Sequence, residues 1–94
     1  MSRKPWTFVT NHGAVLAIVG SHSQMTAREI ANRLSITERT VLRIIKDLES
    51  EGYVERERVG RENHYRVNRS QPMRRQDQRT SSVGALLEVL HFDE

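Results

Sequence analysis

Apolar residues in the first fifty positions fall into three groups with helical spacing. After a short lead-in, Trp6-Thr7-Phe8-Val9, either Thr10 or Asn11 is placed to cap a helix running to about Val19. Val15, Leu16, Val19 and Ile18 make its buried stripe, and Gly20 is its expected stop. Ser21 to Gln24 is polar, and Met25 is an isolated apolar residue expected to pack on the core. Thr26-Ala27-Arg28-Glu29 then forms a capping box, in which the Thr26 hydroxyl accepts from the Glu29 amide and the Glu29 carboxylate accepts from the Thr26 amide. The helix behind this box runs to Leu34, with Ala27, Ile30, Ala31 and Leu34 on one face. Ser35-Ile36-Thr37 reads as a three-residue turn with Ile36 plugged inward. Thr37 caps a third helix over about 38–51, with Glu38 at its positive end.

This third helix has two unlike sides. Arg39, Arg43 and Lys46 fall within roughly 60° of one another at about 100° per residue. Val41, Ile44, Ile45 and Leu48 cluster opposite them. Leu42 lies beside the basic stripe, where an aliphatic side chain has no core to enter. Gly52 ends the helix in the left-handed region, and Tyr53 and Val54 pack back. The pattern then changes period. Tyr53 to Arg58 alternates, as does Asn63 to Asn68, and Val59-Gly60-Arg61-Glu62 connects them, which predicts a β-hairpin over 53–67. Val54 marks the inward face of the first strand, and Tyr65 and Val67 that of the second. Residues 69–80 carry almost no apolar side chain and read as a polar, basic linker. A last amphipathic helix begins at Ser81 or Ser82, with Val83, Leu86, Leu87 and Leu90 at i, i+3, i+4 and i+7.

Composition sharpens this picture. The 94 residues make one small domain, here 1–68, with a linker and a terminal helix and acidic tail over 81–94. No apolar run approaches the roughly 18 residues of a membrane span. The opening Met1-Ser2-Arg3-Lys4-Pro5-Trp6 lacks the apolar core of a secretory signal. The absence of cysteine excludes disulfides and thiolate chemistry and fits a reducing cytoplasm. His12, His22, His64 and His91 show no metal-ligand spacing, so no metal or other cofactor is expected. Residues 1–79 hold all fifteen bases against nine of the twelve acids, a net charge of +6, whereas 80–94 hold Glu88, Asp93 and Glu94 and no base. Thirteen of the bases are arginine, whose planar fork suits phosphate and guanine.

Helix, capped helix, short turn, basic-faced helix and hairpin, in that order, describe a mainly α winged helix-turn-helix with an extra C-terminal amphipathic helix. The turn sets the third helix across the second, so that its back packs inward and its front projects into a groove of duplex DNA. Thr37, Arg39 and Thr40 in its first turn then face base edges, with Arg43 and Lys46 one and two turns on. Arg43 is the foremost base reader, because its fork takes guanine O6 and N7 together. Leu42 is either a stray surface residue or a contact to a thymine methyl group. Arg58 and Arg61 of the hairpin, with Asn63, are placed to reach a flanking minor groove or backbone. Because Glu55, Glu57 and Glu62 offset its arginines, the hairpin also reads as a salt-bridged buttress.

Several stretches resemble bacterial transcription regulators of the MarR/ArsR winged-helix type. They are Ala31, Ser35-Ile36-Thr37, Thr37-Glu38-Arg39-Thr40-Val41 and Asp47-Leu48-Glu49-Ser50-Glu51-Gly52-Tyr53-Val54. Glu57 to Tyr65 resembles the wing of small members of that group, as do the openings Trp6-Thr7-Phe8 and Thr10-Asn11-His12. The resemblance is close over 26–67 and looser over 6–90. It implies a DNA-binding regulator, usually a homodimer on a two-fold operator. MarR proteins proper carry further helices, and ArsR metal sensors use cysteine, so neither an inducer nor a metal is carried over.

Two readings remain open at this level. The terminal stripe Val83, Leu86, Leu87 and Leu90 either folds onto its own domain or, as favoured here, pairs with a second chain, since two half-site readers grip a two-fold operator better than one. The whole chain could instead be a protein-interaction module, using Leu42 and that stripe. Catalysis is not expected: Ser21-His22-Ser23 has no carboxylate defined around it, and no phosphate-cradling glycine loop occurs.

Overall fold

The computed structural model describes residues 7–22 and 24–90. Trp6, Ser23 and the tail from His91 onward lie outside the described residues. The elements are α1 (Asn11–Ser21), α2 (Ala27–Leu34), α3 (Glu38–Ser50), β1 (Val54–Val59), β2 (Glu62–Val67), a short 3-10 turn (Gln76–Gln78) and α4 (Val83–Val89). Four helices and a two-stranded antiparallel hairpin in this order form a winged helix-turn-helix.

A hydroxyl starts every α-helix. Thr10, Thr26, Thr37 and Ser82 accept from the amides of Gly13, Glu29, Thr40 and Ala85 respectively. The expected box at Thr26 is closed both ways, at 2.8 Å from the Thr26 amide to Glu29 Oε1 and 3.2 Å from the Glu29 amide to Thr26 Oγ1. The Thr26 amide, and after it the Thr26 hydroxyl donating to the same Oε1 at 3.1 Å, hold the Glu29 carboxyl below its ordinary value.

α1 is the centre of the molecule. Ala14 through Val19 are all buried, so this helix is apolar on every side rather than along one stripe. It also runs through Gly20 and ends at Ser21, against the expected stop at the glycine. The reason is tertiary: a Cβ at Gly20 would stand 2.8 Å from Leu87 Cδ1. The glycine therefore gives α4 room to seat Leu87, and the chain keeps its helical course past it.

Between α2 and α3, Ser35 takes the left-handed conformation (φ 59°, ψ 41°). The Ser35 and Ile36 amides turn back to the carbonyls of Asn32 and Ala31. A non-glycine residue there is uncommon, and this one fixes the angle at which α3 leaves α2. Half-buried Ile36 packs on the core, as do Met25 and Leu34. Gly52 follows α3 at φ +81°, as its position predicted.

The hairpin is tighter than expected. Val59 pairs with Glu62, so both belong to the strands and the turn is Gly60-Arg61 alone. Gly60 has φ +62° and Arg61 does not share the positive φ, the pattern of a II′ turn.

The polar stretch 69–80, expected as a linker, is tied to the body. The Tyr53 hydroxyl donates to the Pro72 carbonyl at 2.9 Å, and Gln71 Nε2 donates to the Glu51 carbonyl at 2.9 Å. The amides of Val83 and Gly84 donate to the carbonyls of Gln71 and Arg69, both at 2.8 Å. Three of these four bonds end on carbonyls of the segment, which no side-chain pattern reveals. They carry α4 back onto α1, where Val83 and Leu87 are buried at 1% and 4% exposure. The terminal stripe is thus divided. Val83 and Leu87 belong to the chain's own core and are withdrawn from the expected dimer face, whereas Leu86 and Leu90 are half-buried.

Candidate nucleic-acid interface

α3 packs its apolar back, Val41, Ile44, Ile45 and Leu48, against the body and leaves its front in solvent. Arg39, Leu42, Arg43 and Lys46 are all exposed and lie at i, i+3, i+4 and i+7. At about 1.5 Å rise per residue, this strip is about 10 Å long, comparable with the roughly 12 Å width of a major groove. Leu42 is 47% exposed between the cations.

Charge pairing separates this strip from five of the other arginines. Arg28 lies 3.9 Å from Glu38, Arg56 3.4 Å from Glu49, and Arg74 4.0 Å from Glu51. Arg66 and Arg75 hold Glu55 and Asp77 more closely, which raises both guanidinium pKa values. Among the described residues, Arg39, Arg43 and Lys46 meet no carboxylate. The acids of α3 face elsewhere. Asp47 Oδ2 takes His12 Nε2 at 2.9 Å and so fastens the start of α1 to α3, while Glu49 turns to the hairpin. Sequence offered no sign of the His12–Asp47 contact, whose partners stand 35 positions apart.

Thr37 and Thr40 sit in the first turn of α3, as expected, but their hydroxyls are already engaged. Thr37 Oγ1 accepts from the Thr40 amide at 3.1 Å, and the two hydroxyls lie 2.8 Å apart. Their first role is to hold the N-terminal turn.

The hairpin sorts its charges by face. The pairs Val54↔Val67, Arg56↔Tyr65 and Arg58↔Asn63 share one side, and Glu55↔Arg66, Glu57↔His64 and Val59↔Glu62 share the other. The first side is the inward one, since Val54, Tyr65 and Val67 are buried there. It also adjoins α3 through Arg56 and Glu49. The arginines of β1 therefore stand on the side of α3, with half-buried Asn63 beside them, and the glutamates stand away from it. This sorting was present in the alternation of Val54-Glu55-Arg56-Glu57-Arg58-Val59. Arg58 Nε donates to the Gly60 carbonyl at 3.3 Å, which holds it near the turn, and Arg61 projects from the turn into solvent. Burial raises the Tyr65 phenol pKa, with Glu49 adding in the same direction and Arg56 opposing.

Ser21 and His22, the described part of the polar loop considered for catalysis, form the end and cap of α1. Among the described residues, no group of three His, Asp or Glu is placed to hold a metal ion, and no helix is long and apolar enough to cross a membrane.

Residues 10–55 match the family model described as winged helix-turn-helix DNA-binding. The matched span begins at the Thr10 cap and ends within β1, so it covers α1, α2 and α3, the last of which carries the basic strip. No curated protein matches the chain.

Proposed function

We propose that this chain is a cytoplasmic transcription regulator that binds duplex DNA sequence-specifically, as a homodimer on a two-fold operator. α3 enters the major groove, and the hairpin lies on the flanking minor groove or backbone. Arg43 reads a guanine, and Leu42 meets a neighbouring thymine methyl group. Arg39 and Lys46 hold the phosphates on either side, Thr37 and Thr40 fix the first turn, and Arg58, Arg61 and Asn63 act from the wing. The kinship with MarR/ArsR regulators rests on the sequence motifs quoted above.

One observation carries the reading. The cations on the front of α3 meet no carboxylate among the described residues, whereas Arg28 and Arg56 beside it lie 3.9 and 3.4 Å from Glu38 and Glu49. An unneutralised cationic strip on a helix whose back is fixed in the core suits a polyanion with a groove of matching width. Selecting preferred sites from a random duplex pool tests it. A two-fold symmetric consensus is the expected result, and a pool that stays random removes sequence-specific recognition.

A further inference from the structure

α3 sets acids beside its own cations. Asp47 stands four positions after Arg43, and Glu49 three after Lys46. On a helix these spacings bring Cβ atoms to about 5–6 Å, and opposite charges so placed ordinarily pair along the helix. Neither pairing is made here. Asp47 Oδ2 lies 2.9 Å from Nε2 of His12 on α1, and Glu49 Oε2 lies 3.4 Å from Nε of Arg56 on β1. Arg43 and Lys46 meet no carboxylate among the described residues. A carboxylate only accepts, so Nε2 of His12 carries the proton in its contact.

The same holds for the other acids of α3 and its cap. Glu38 lies 3.9 Å from Arg28 on α2, and Glu51 lies 4.0 Å from Arg74 in the 69–80 segment. Each acid is thus drawn to a cation on a different part of the chain. Asp47 is the one whose release would bear most directly on the reading helix, because its helical neighbour is Arg43. His12 and Asp47 are 50% and 58% exposed, and pairs so open to water contribute little to stability. The consequence of their contact lies in which partner Asp47 takes, more than in how firmly the fold is held.

We propose that His12 is a positioning residue for the basic strip: by holding Asp47 toward α1 it keeps the Arg43 guanidinium free for a polyanion. Without His12 the Asp47 carboxylate turns onto Arg43, four residues back, and a phosphate or base edge must displace an ion pair that is already formed. His12 touches no DNA in this account and acts only through Asp47. The inference rests on the duplex-DNA reading above for what Arg43 meets, whereas the competition between His12 and Arg43 for one carboxylate stands without it.

His12→Ala and Asp47→Asn, singly and together in the full chain, test the proposal, because clearing Arg43 and merely fastening α1 to α3 give opposite results. Both side chains are half exposed, so helical circular dichroism is expected to match the parent in all three variants. At low salt, His12→Ala is expected to weaken binding to a labelled duplex of mixed sequence about threefold, the scale of one exposed ion pair to be broken and one uncompensated charge nearby. Asp47→Asn removes the carboxylate itself and binds at least as tightly as the parent, and the double variant recovers the parent's affinity. If His12 only fastened the helices, Asp47→Asn would weaken binding as His12→Ala does and the double variant would recover nothing. That result overturns the proposal, as does a folded His12→Ala chain that binds like the parent. A second arm needs no DNA. The Nε–Hε magnetic-resonance signal of Arg43, assigned by its loss in Arg43→Lys, is expected to shift in His12→Ala and to return in the double variant. A signal that stays in place in His12→Ala overturns the proposal whether or not DNA binds. A parent chain that binds no duplex defeats the regulator reading, and the Arg43 signal then decides the inference by itself.

Discussion

Salt dependence of DNA affinity is the sharpest quantity the structure yields. Arg39, Arg43 and Lys46 of α3, with Arg58 and Arg61 of the hairpin, meet no carboxylate among the described residues. If all five neutralise phosphates, the log–log slope of affinity against salt is about −4.5 per protomer, at about −0.9 for each contact. Raising salt fourfold, from about 50 to about 200 mM, then weakens binding about 500-fold. Fluorescence anisotropy with a labelled duplex measures this directly. Arg43→Ala separates two roles. As a phosphate contact its loss brings the slope to about −3.6, and as a guanine reader it leaves the slope and costs about 1–3 kcal/mol on the preferred site only. Arg66→Ala is the control, since Arg66 is held by Glu55 on the other face of the hairpin and is expected to leave both slope and specificity unchanged. A slope no steeper than about −1, or equal losses for Arg43→Ala and Arg66→Ala, would refute the assignment of the strip.

Further outcomes follow from the fold. Leu87→Ala is expected to destabilise the chain by about 2–5 kcal/mol in urea denaturation, as a buried leucine that locks α4 to α1; no change would mean that α4 is undocked in solution. Thr26→Ala removes the α2 cap and costs about 1 kcal/mol by the same assay. Because the Glu29 carboxyl is held below its ordinary value of 4.5, its contribution is complete above that pH and is lost as pH falls through the lowered value. The stability gap between the parent and Glu29→Gln should therefore close on acidification, and a gap constant down to pH 2 would be inconsistent with it. Gly60→Ala, at φ +62°, strains the hairpin turn by about 1 kcal/mol and should broaden the amide signals of the β1–β2 strands without altering those of α2.

Local chemistry was legible in the sequence wherever the partners are close along the chain. The Thr26–Glu29 box, the Thr37 cap, the two-sided α3 and the left-handed Gly52 all depend on residues within a turn or two of one another. The front of α3 was readable for the same reason, since a helix places i, i+3, i+4 and i+7 together regardless of what packs behind it. Features that depend on distant partners were not readable. Gly20 has the composition of a helix stop, and only Leu87 across the fold explains why it is none. The 69–80 segment reads as a polar linker by composition, yet it is held by three of its carbonyls and by the Gln71 side chain. The α4 stripe has the right period for a partner but no mark of whose surface it meets, and the structure gives Val83 and Leu87 to α1.

The strict alternation of the hairpin makes its polarity a matter of phase. Sliding β1 by one residue against β2 would exchange every side chain's face, turning the glutamates toward α3 and the arginines outward, with the composition unchanged. A single inserted or deleted residue between Val54 and Val59 should thus act like a reversal of sign, presenting carboxylates instead of guanidinium groups on the side of α3. The two-residue turn at Gly60-Arg61, far from any core contact, is what keeps that sign fixed.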